Sequence, residues 1–393
     1  MAHPPSDAAD ERRLFTAGFI GLGLAELAYF TAAGLTIPLT PDFATGPLGS
    51  DAAGAGIAIG AFSLTALILR PLAGRLTDQR GRRPFLIGGA LLAALAIAAH
   101  ALTTDLAVLI GLRLVLGVAE AFFFVAGFAM VADLAPEGRA GEALSYNSLA
   151  LYIGIAVGPL IGEMLRDAGG YDVAWLGGAA MCVGAGLIAM LFNETGERIA
   201  DPGPLTLFHR PALLPSVGLF TGVVAMSGLL NFMVLYVDEV GLSGTGPVML
   251  VFGAIVVGTR IAFARLPDRV PPFRLAAAAL ATIGLGNAIV VVVPTAVGLF
   301  IGAALTALGV AFTTPAFFAA IVQRTQAHER GTALGTTSLF IDLAFGAPLV
   351  LGFVAEAGGV PAAFAVGGVV AVIGAMGTAY AALSERPIVA SAG

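Results

Sequence analysis

Long apolar runs recur along the whole chain, and short clusters of Pro, Gly and charged residues separate them. A helix needs about 20 mostly apolar residues to cross a bilayer, and the runs have this length. Of the 393 residues, 58% are hydrophobic and only 11% are charged. A soluble domain has about 25% charged residues. The chain is therefore predicted to be an all-α membrane protein with many spanning helices.

The separating clusters divide the chain into twelve predicted transmembrane helices. Their approximate ranges are 14–38, 52–73, 85–102, 105–132, 143–165, 171–192, 213–237, 247–264, 273–293, 295–323, 331–354 and 360–382. The longest cytoplasmic connection falls at the midpoint, with six spans on each side of it. We therefore expect two pseudo-symmetric six-helix halves, 1–192 and 213–393, joined by a cytoplasmic central loop over 193–212.

The first apolar run also has features of a secretory signal peptide, because basic residues precede it and small residues lie within it. Its apolar region is too long for a signal peptide, and Glu26 interrupts it. We interpret the run as the first spanning helix.

All nineteen basic residues are arginine, and fifteen of them fall in loops or tails on one side of the predicted topology. The positive-inside rule makes this side cytoplasmic. Both termini are then cytoplasmic, and we expect a multi-pass protein of the cytoplasmic membrane. The expected partners are the lipid bilayer, a small-molecule substrate and protons, with no nucleic acid, and we expect a monomer.

The two halves contain related stretches. RPLAGRLTDQRGRRPF (70–85) aligns with RIAFARLPDRVPPF (260–273) at an offset of 190 positions. The matching pairs are Arg70 and Arg260, Arg75 and Arg265, Leu76 and Leu266, and Asp78 and Asp268. A second pair of stretches, GPLIG (158–162) and GAPLVLG (346–352), has nearly the same offset. These repeats indicate duplication, and two six-helix halves with a binding site between them are typical of a transporter.

The stretch GRLTDQRGRRP (74–84) lies between the second and third spans and resembles the loop signature of the major facilitator superfamily. The matching residues are Gly74, Leu76, Asp78, Gly81, Arg82 and Arg83. Gln79 departs from the signature, which usually has arginine there. RLVLGVAEA (113–121) resembles the fourth-span motif of the family through Arg113 and Gly117. The resemblance covers the whole chain and implies the twelve-helix fold of that family.

A further motif, GIAVGPLIGE (154–163), resembles the fifth-span motif of drug–proton antiporters. The matching residues are Gly154, Gly158, Pro159 and Gly162. Glu163 replaces the second glycine that usually ends the motif, and Ser145 stands where a glycine is usual. The chain as a whole is similar to arabinose-efflux and drug-efflux permeases, and the resemblance implies export.

The loop signature contains one acid, Asp78. Its negative charge does not contribute to the cytoplasmic placement that the neighbouring arginines favour. In the family this acid docks on the start of the eleventh span, here near Gly331, and holds the inner gate shut; the resemblance implies the same role here. The alternative for the arginines is that they only hold the loop inside and bind anionic lipid headgroups. Just before the signature, Arg70 is expected to pair with a cytoplasmic-side acid such as Asp133.

Four ionisable residues fall well inside predicted spans, away from the span ends, where a charge is costly and indicates a functional site. They are Glu26, Arg113, Glu120 and Asp342. At 1.5 Å per residue, the three acids lie roughly 17–20 Å from the cytoplasmic ends of their spans. They therefore share one depth near the middle of the bilayer, and we expect them to carry the coupling protons.

The fourth span presents Arg113, Gly117 and Glu120 on one face, because positions i, i+4 and i+7 of a helix align. In the family the first and fourth spans line the central cavity, so the resemblance places Glu26, Arg113 and Glu120 on its wall. We expect Arg113 to contact the substrate. The alternative is a fixed buried pair of Arg113 and Glu120 that only orients the helices.

The C-terminal half offers fewer polar positions within its spans. Asn231 in the seventh span and Thr313 and Thr314 in the tenth are candidates for substrate contact. The alternative is that each makes a helix–helix hydrogen bond.

The pattern as a whole favours a secondary transporter that exports a small organic solute by proton antiport. An uptake symporter or a uniporter is the alternative within transport, and a non-transporting receptor on the same fold is a second class. The sequence has no P-loop, no metal-ligand cluster, no nucleophile–histidine pair and no pore filter. We therefore expect neither an enzyme nor a channel, and no cofactor.

Overall fold

The computed structural model describes residues 14–136, 139–196, 208–263, 266–325 and 330–384, and these residues form helices joined by short turns. The first six helices are α1 (Ala17–Thr45), α2 (Ala52–Arg80), α3 (Arg83–Ala99), α4 (Leu106–Leu134), α5 (140–168) and α6 (171–189). The next six are α7 (Arg210–Phe232), α8 (Gly246–Ala262), α9 (Pro272–Val292), α10 (Ala296–Arg324), α11 (Arg330–Phe345, continued as Pro348–Gly358) and α12 (Val360–Ser384). Short helical turns occur at His100–Leu102, Met233–Leu235 and Leu266–Arg269.

Ten helical stretches of the described residues are long and apolar enough to cross a membrane, and α8 is a shorter apolar helix of 17 residues. One of the ten contains both α5 and α6, which run almost continuously over Ala140–Ala189. They are separated at Gly169 and Gly170, and Gly170 has a φ of +82°, a conformation that glycine adopts readily. The predicted all-α membrane architecture is confirmed.

Two predicted boundaries are wrong. α1 continues through Pro38 and Pro41 to Thr45 rather than ending at 38. α2 ends at Arg80 rather than at 73, so Gly74 and Asp78 lie on the last turns of a helix and not in a loop. Nothing between Gly74 and Arg80 forbids a helix, and the helix ends only at Gly81, whose φ of +99° suits a glycine at this position.

Buried apolar side chains form two main clusters, one from α1–α6 and one from α7–α12. The two groups of helices meet where α2 packs on α11 and where α5 packs on α8. We call the end of the bundle that carries the α2–α3 connection the inner end, and the opposite end the outer end. Any residue that lies between α2 and α11 or between α5 and α8 is therefore at the interface of the two groups.

Candidate functional site

Three acids from three helices interact near the middle of the bundle. They are Glu26 of α1, Glu120 of α4 and Asp342 of α11. Glu26 accepts a hydrogen bond from the Asn147 side chain amide of α5, and Glu120 lies close to the Tyr29 hydroxyl. Glu120 also interacts electrostatically with both other acids. The structure thus brings together the three acids that share one predicted depth, while their role in proton coupling remains a prediction.

Arg70 of α2 forms an ion pair with Asp342 across the interface of the two groups of helices. Its Nη2 lies 2.6 Å from Oδ1 of Asp342, and its guanidinium lies 4.6 Å from the centroid of the Phe124 ring. The predicted partner, Asp133, is wrong. Because α2 continues ten residues beyond Arg70, this arginine lies about 15 Å inside the helix end rather than at the inner surface.

A small cavity of about 60 Å³ lies beside Glu26, between α1, α4 and α5. Its lining residues are Glu26, Phe30, Phe123, Phe124, Phe128, Leu144, Asn147, Ser148 and Leu151. A volume of this size holds one or two water molecules or one small functional group. Four aromatic rings with one carboxylate, one amide and one hydroxyl make the wall mostly apolar with a few polar groups, as is usual for small-molecule sites.

Arg113 does not line this cavity. Its side chain is buried among α1, α2 and α4, where it donates to the carbonyl of Ala58 at 3.3 Å and to the Thr36 hydroxyl at 3.4 Å. The Phe62 ring lies 5.3 Å from the guanidinium carbon. No carboxylate within the described ranges pairs with Arg113. The alternative of a fixed pair between Arg113 and Glu120 is therefore wrong, while contact of Arg113 with substrate remains a prediction.

The polar candidates of the C-terminal half bond within their own helices. Asn231 donates to the carbonyl of Ser227 at 2.9 Å, and Thr313 donates to the carbonyl of Gly309 at 2.7 Å. Thr314 is half-buried. None of the three lines the cavity beside Glu26, and contact with substrate in another conformation remains a prediction.

The motif between α2 and α3 contacts the inner ends of the neighbouring helices. Oδ1 of Asp78 lies 3.5 Å from Nη2 of Arg82. Nε of Arg82 lies 3.0 Å from Oδ2 of Asp133 at the end of α4. Glu194, which follows α6, accepts from the backbone N–H of Arg82 at 2.7 Å and of Arg83 at 3.3 Å. Sequence reasoning missed Glu194, because a separation of 112 residues from Arg82 gives no sequence signal of this contact.

The glycines of this motif have different roles. A Cβ added at Gly81 would collide with the Glu194 carboxylate, and its positive φ disfavours any other residue. A Cβ at Gly74 would meet nothing within 4 Å. The expected contact of Asp78 with the start of α11 near Gly331 falls where the side chains, those of 326–332 and 334, are not described. The latch therefore remains a prediction.

The glycines of the fifth-span motif form a close contact between α5 and α1. A Cβ added at Gly158 would lie 2.6 Å from the backbone nitrogen of Leu35, and one at Gly154 would lie 2.6 Å from the backbone carbonyl carbon of Phe30. Gly162 packs on the Leu35 side chain in the same way. Pro159 lies within the same helix. These contacts fix α5, which carries Asn147, against α1, which carries Glu26.

Two further acids connect the two groups of helices at the outer end, and sequence reasoning assigned neither a function. Glu163 of α5 accepts hydrogen bonds at 2.6 Å from the Thr245 hydroxyl and at 2.9 Å from the backbone N–H of Gly246, at the start of α8. Glu356 of α11 accepts one at 3.1 Å from the backbone N–H of Ala52, at the start of α2. The outer end is therefore closed in this structure.

The bundle and its interfacial acids define a class of protein. Two groups of helices meet at an interface that the Arg70–Asp342 ion pair crosses, and the first group contains a small cavity beside Glu26. Two helical halves with ionisable side chains at mid-depth are the arrangement of secondary transporters. The chain belongs to the Major Facilitator Superfamily, whose family model matches residues 22–347.

Similar proteins agree with this assignment. The chain is 32% identical over 308 residues to an uncharacterized MFS-type transporter of Salmonella typhimurium, covering 74% of this chain and 77% of that one. It is 30% identical over 365 residues to another from Burkholderia mallei, covering 88% of both chains.

Solved structures share the fold at low sequence identity. The human organic anion transporter MFSD10 (TETRAN) is 19% identical, with a TM-score of 0.72, and the match covers 96% of this chain and all of that one. A POT family transporter in complex with a thioalcohol-conjugated peptide is 13% identical, with a TM-score of 0.79 and coverage of 91% and 94%. The chain is therefore a multi-pass membrane transporter of the major facilitator fold, and not an enzyme.

Proposed function

We propose that this secondary transporter exports a small organic solute across the cytoplasmic membrane in exchange for protons. The observation that carries the proposal is the position of Glu26. Its carboxylate lines the small cavity between α1, α4 and α5, and within the described ranges its only hydrogen-bond partner is the neutral amide of Asn147.

An unpaired carboxylate at mid-depth is costly, and either a bound proton or a solute group that contacts the carboxylate removes that cost. A proton and a solute compete for Glu26. If the protein changes its orientation only when Glu26 holds one of the two, each solute molecule carried one way is exchanged for a proton carried the other way. We propose that Glu120 and Asp342 take part in the same proton path, since Glu120 interacts electrostatically with Glu26 and with Asp342.

The reorientation changes the contacts between α2 and α11 and between α5 and α8. The ion pair of Arg70 and Asp342 crosses the first of these interfaces. Protonation of Asp342 weakens the attraction to Arg70, so the arrival of a proton there favours separation of the two helices. We propose that this pair links proton occupancy to opening.

The proposed direction of transport and the proposed orientation of the protein in the membrane are argued from the sequence. The fifth-span glycines resemble those of drug–proton antiporters, and the chain is similar to arabinose-efflux and drug-efflux permeases. The arginine distribution favours cytoplasmic termini. We propose that the protein acts as a monomer, because each chain contains both groups of helices and the interface between them.

Inside-out vesicles from cells that express the chain test the proposal. A panel of small organic solutes is screened for accumulation with a proton gradient and after its collapse by an ionophore. Accumulation that requires the gradient and disappears in Glu26→Gln is the expected result, with the exposed Glu239→Gln as control. Accumulation in right-side-out vesicles instead would indicate a symporter, and accumulation independent of the gradient would indicate a uniporter; either overturns the proposal.

A further inference from the structure

Arg260 of α8 lies at the interface with α5 without an acidic partner. Its Nη2 donates to the Tyr152 hydroxyl at 2.9 Å and its Nη1 donates to the Ser148 hydroxyl at 3.3 Å. The guanidinium carbon also lies 4.2 Å from the centroid of the Tyr152 ring. The Nε atom is buried and has no hydrogen-bond partner. No carboxylate of the described residues lies within 4.0 Å of this arginine.

The internal repeat explains why this arginine is unusual. Arg70 and Arg260 are 190 positions apart, and so are their partners, Tyr152 and Asp342. The contact of α2 with α11 therefore recurs between α8 and α5, with a phenol in place of the carboxylate. A phenol and an aromatic face attract a guanidinium but do not neutralise it. The charge of Arg70 is therefore neutralised by Asp342, whereas the charge of Arg260 is not neutralised by Tyr152.

This positive charge contacts a residue of the cavity that Glu26 lines. Ser148, which accepts from Arg260, lines the cavity together with Glu26. The residue before it, Asn147, donates to Glu26. Consecutive residues of α5 thus contact groups of opposite charge: Asn147 contacts the Glu26 carboxylate and Ser148 contacts the Arg260 guanidinium. Glu26 and Arg260 make no ion pair with each other in the described structure.

We propose that Glu26 and Arg260 bind the two ends of an amphoteric solute, an amino carboxylate with an apolar body. The inference rests on the proposed function and deepens it by naming the substrate class. The carboxylate of the solute pairs with Arg260, where a guanidinium offers two parallel N–H donors. Its ammonium group donates to the ionised Glu26, whose proton leaves to the aqueous side that is open.

The remaining wall of the cavity suits the apolar body. Phe30, Phe124 and Phe128 surround Glu26 and present aromatic surface. The present volume, about 60 Å³, accommodates one functional group rather than the whole solute. Separation of α5 from α8 therefore has to precede binding. This movement also exposes the Nε atom of Arg260.

Three probes that share a phenyl body and differ only in charge test the proposal by calorimetry on the purified full chain. They are L-phenylalanine, 3-phenylpropionate and 2-phenylethylamine. We expect L-phenylalanine to bind most tightly. Arg260→Gln should weaken both carboxylate probes roughly tenfold or more, because a charge-assisted hydrogen bond is lost, and should leave the amine unaffected. The exposed Arg274→Gln is the matched control.

A second variant separates loss of the site from loss of the fold. Tyr152→Asp supplies the carboxylate that the repeat has at Asp342, so Arg260 becomes paired, although the loss of the ring leaves a gap beside the C-terminal cluster. We expect it to weaken both carboxylate probes as strongly as Arg260→Gln does, while unchanged affinity for 2-phenylethylamine shows that the fold is intact. Tyr152→Phe should retain binding.

The outcomes for the solute class and for proton antiport are distinguishable. Carboxylate probes that do not bind the wild type, or that bind Arg260→Gln as tightly, overturn the amphoteric class. Proton release on binding of 2-phenylethylamine, absent in Glu26→Gln, would still support antiport. Conversely, binding that depends on Arg260 without proton release by any probe supports the anion site and contradicts antiport.

Discussion

The Glu163 carboxylate of α5 accepts hydrogen bonds from both the backbone N–H and the side-chain hydroxyl of Thr245, the residue that precedes α8. A third bond comes from the N–H of Gly246. The first N–H groups of a helix have no partner within the helix, and the helix dipole favours a negative charge beside them. Because α5 and α8 belong to different groups of helices, this contact stabilises the closed outer end.

We expect Glu163→Gln to shift the protein toward a conformation that is open at the outer end. A glutamine amide has only one acceptor oxygen, and its NH₂ group opposes the N–H donors at the start of α8. Double electron–electron resonance between spin labels at residues 167 and 243 measures the change. Longer distances are expected in the variant, and the exposed Asp172→Asn should match the wild type. An unchanged distance distribution would show that Glu163 does not hold this end closed.

Asp78→Asn tests the predicted latch at the inner end. We expect normal expression and folding but severely slowed transport, because the neutral amide loses the charged contact expected with the start of α11. Its neighbour Arg80 is the control, since Arg82 and Arg83 already hold the connection to α4 and α6. Arg80→Gln should have a mild effect. Wild-type turnover of Asp78→Asn would mean that the motif serves only as a topology signal.

Gly158→Leu is expected to abolish transport by forcing α1 and α5 apart. The added side chain would meet the backbone of α1 at Leu35, and such overpacking typically costs about 1–3 kcal/mol. The cavity beside Glu26 would be distorted as well, since both helices line it. The matched control is Gly184→Leu in α6, where an added Cβ meets nothing within 4 Å. Vesicle transport and thermal stability are measured for both, and an active Gly158→Leu protein would contradict the close-packing role.

We expect removal of one partner of the Arg70–Asp342 ion pair to lower the stability of the protein more than removal of both partners. Asp342→Asn alone leaves a largely buried guanidinium unpaired, a change that typically costs about 3 kcal/mol or more. The double variant Arg70→Gln with Asp342→Asn should recover most of the lost thermal stability. Transport should stay impaired in the double variant if the pair links protonation to opening. Full transport by the double variant would restrict the pair to a structural role.

The sequence predicted the helices and the common depth of the acids, because helix length and rise are local properties. It placed Glu26, Glu120 and Asp342 at one level, and they interact in the structure. Boundaries were less accurate. Ending the second span at 73 made Arg70 look close to the inner surface, and its partner was therefore misassigned to Asp133.

Contacts between the two groups of helices were beyond local reasoning. The motif comparison showed only that Glu163 replaces a glycine, and its bonds to Thr245 depend on how α5 packs against α8. The contacts of Arg113 could not be predicted for the same reason. Helical periodicity places Arg113 on the same face as Glu120, but it does not show which neighbouring helix the long side chain contacts. The repeat did contain one usable signal, the 190-residue offset that relates Tyr152 to Asp342.

Glu26→Gln is expected to separate binding from coupling. Glutamine is neutral at every pH, has nearly the same size, and can still accept a hydrogen bond from Asn147. The variant should therefore fold and bind an uncharged solute from the vesicle screen, but it should not move that solute against a gradient. Because the group that exchanges the proton is gone, binding should also lose most of its pH dependence near neutrality.

The measurement is proton release on solute addition to the detergent-purified protein in weak buffer, for the wild type, Glu26→Gln and Glu120→Gln. Release should be lost in Glu26→Gln. It should be reduced in Glu120→Gln, because Glu120 contacts Tyr29 and interacts with Glu26 through space rather than lining the cavity itself. Unchanged release in both variants would remove the coupling role from α1 and α4. The proton would then have to bind at Asp342, whose pairing with Arg70 crosses the α2–α11 interface.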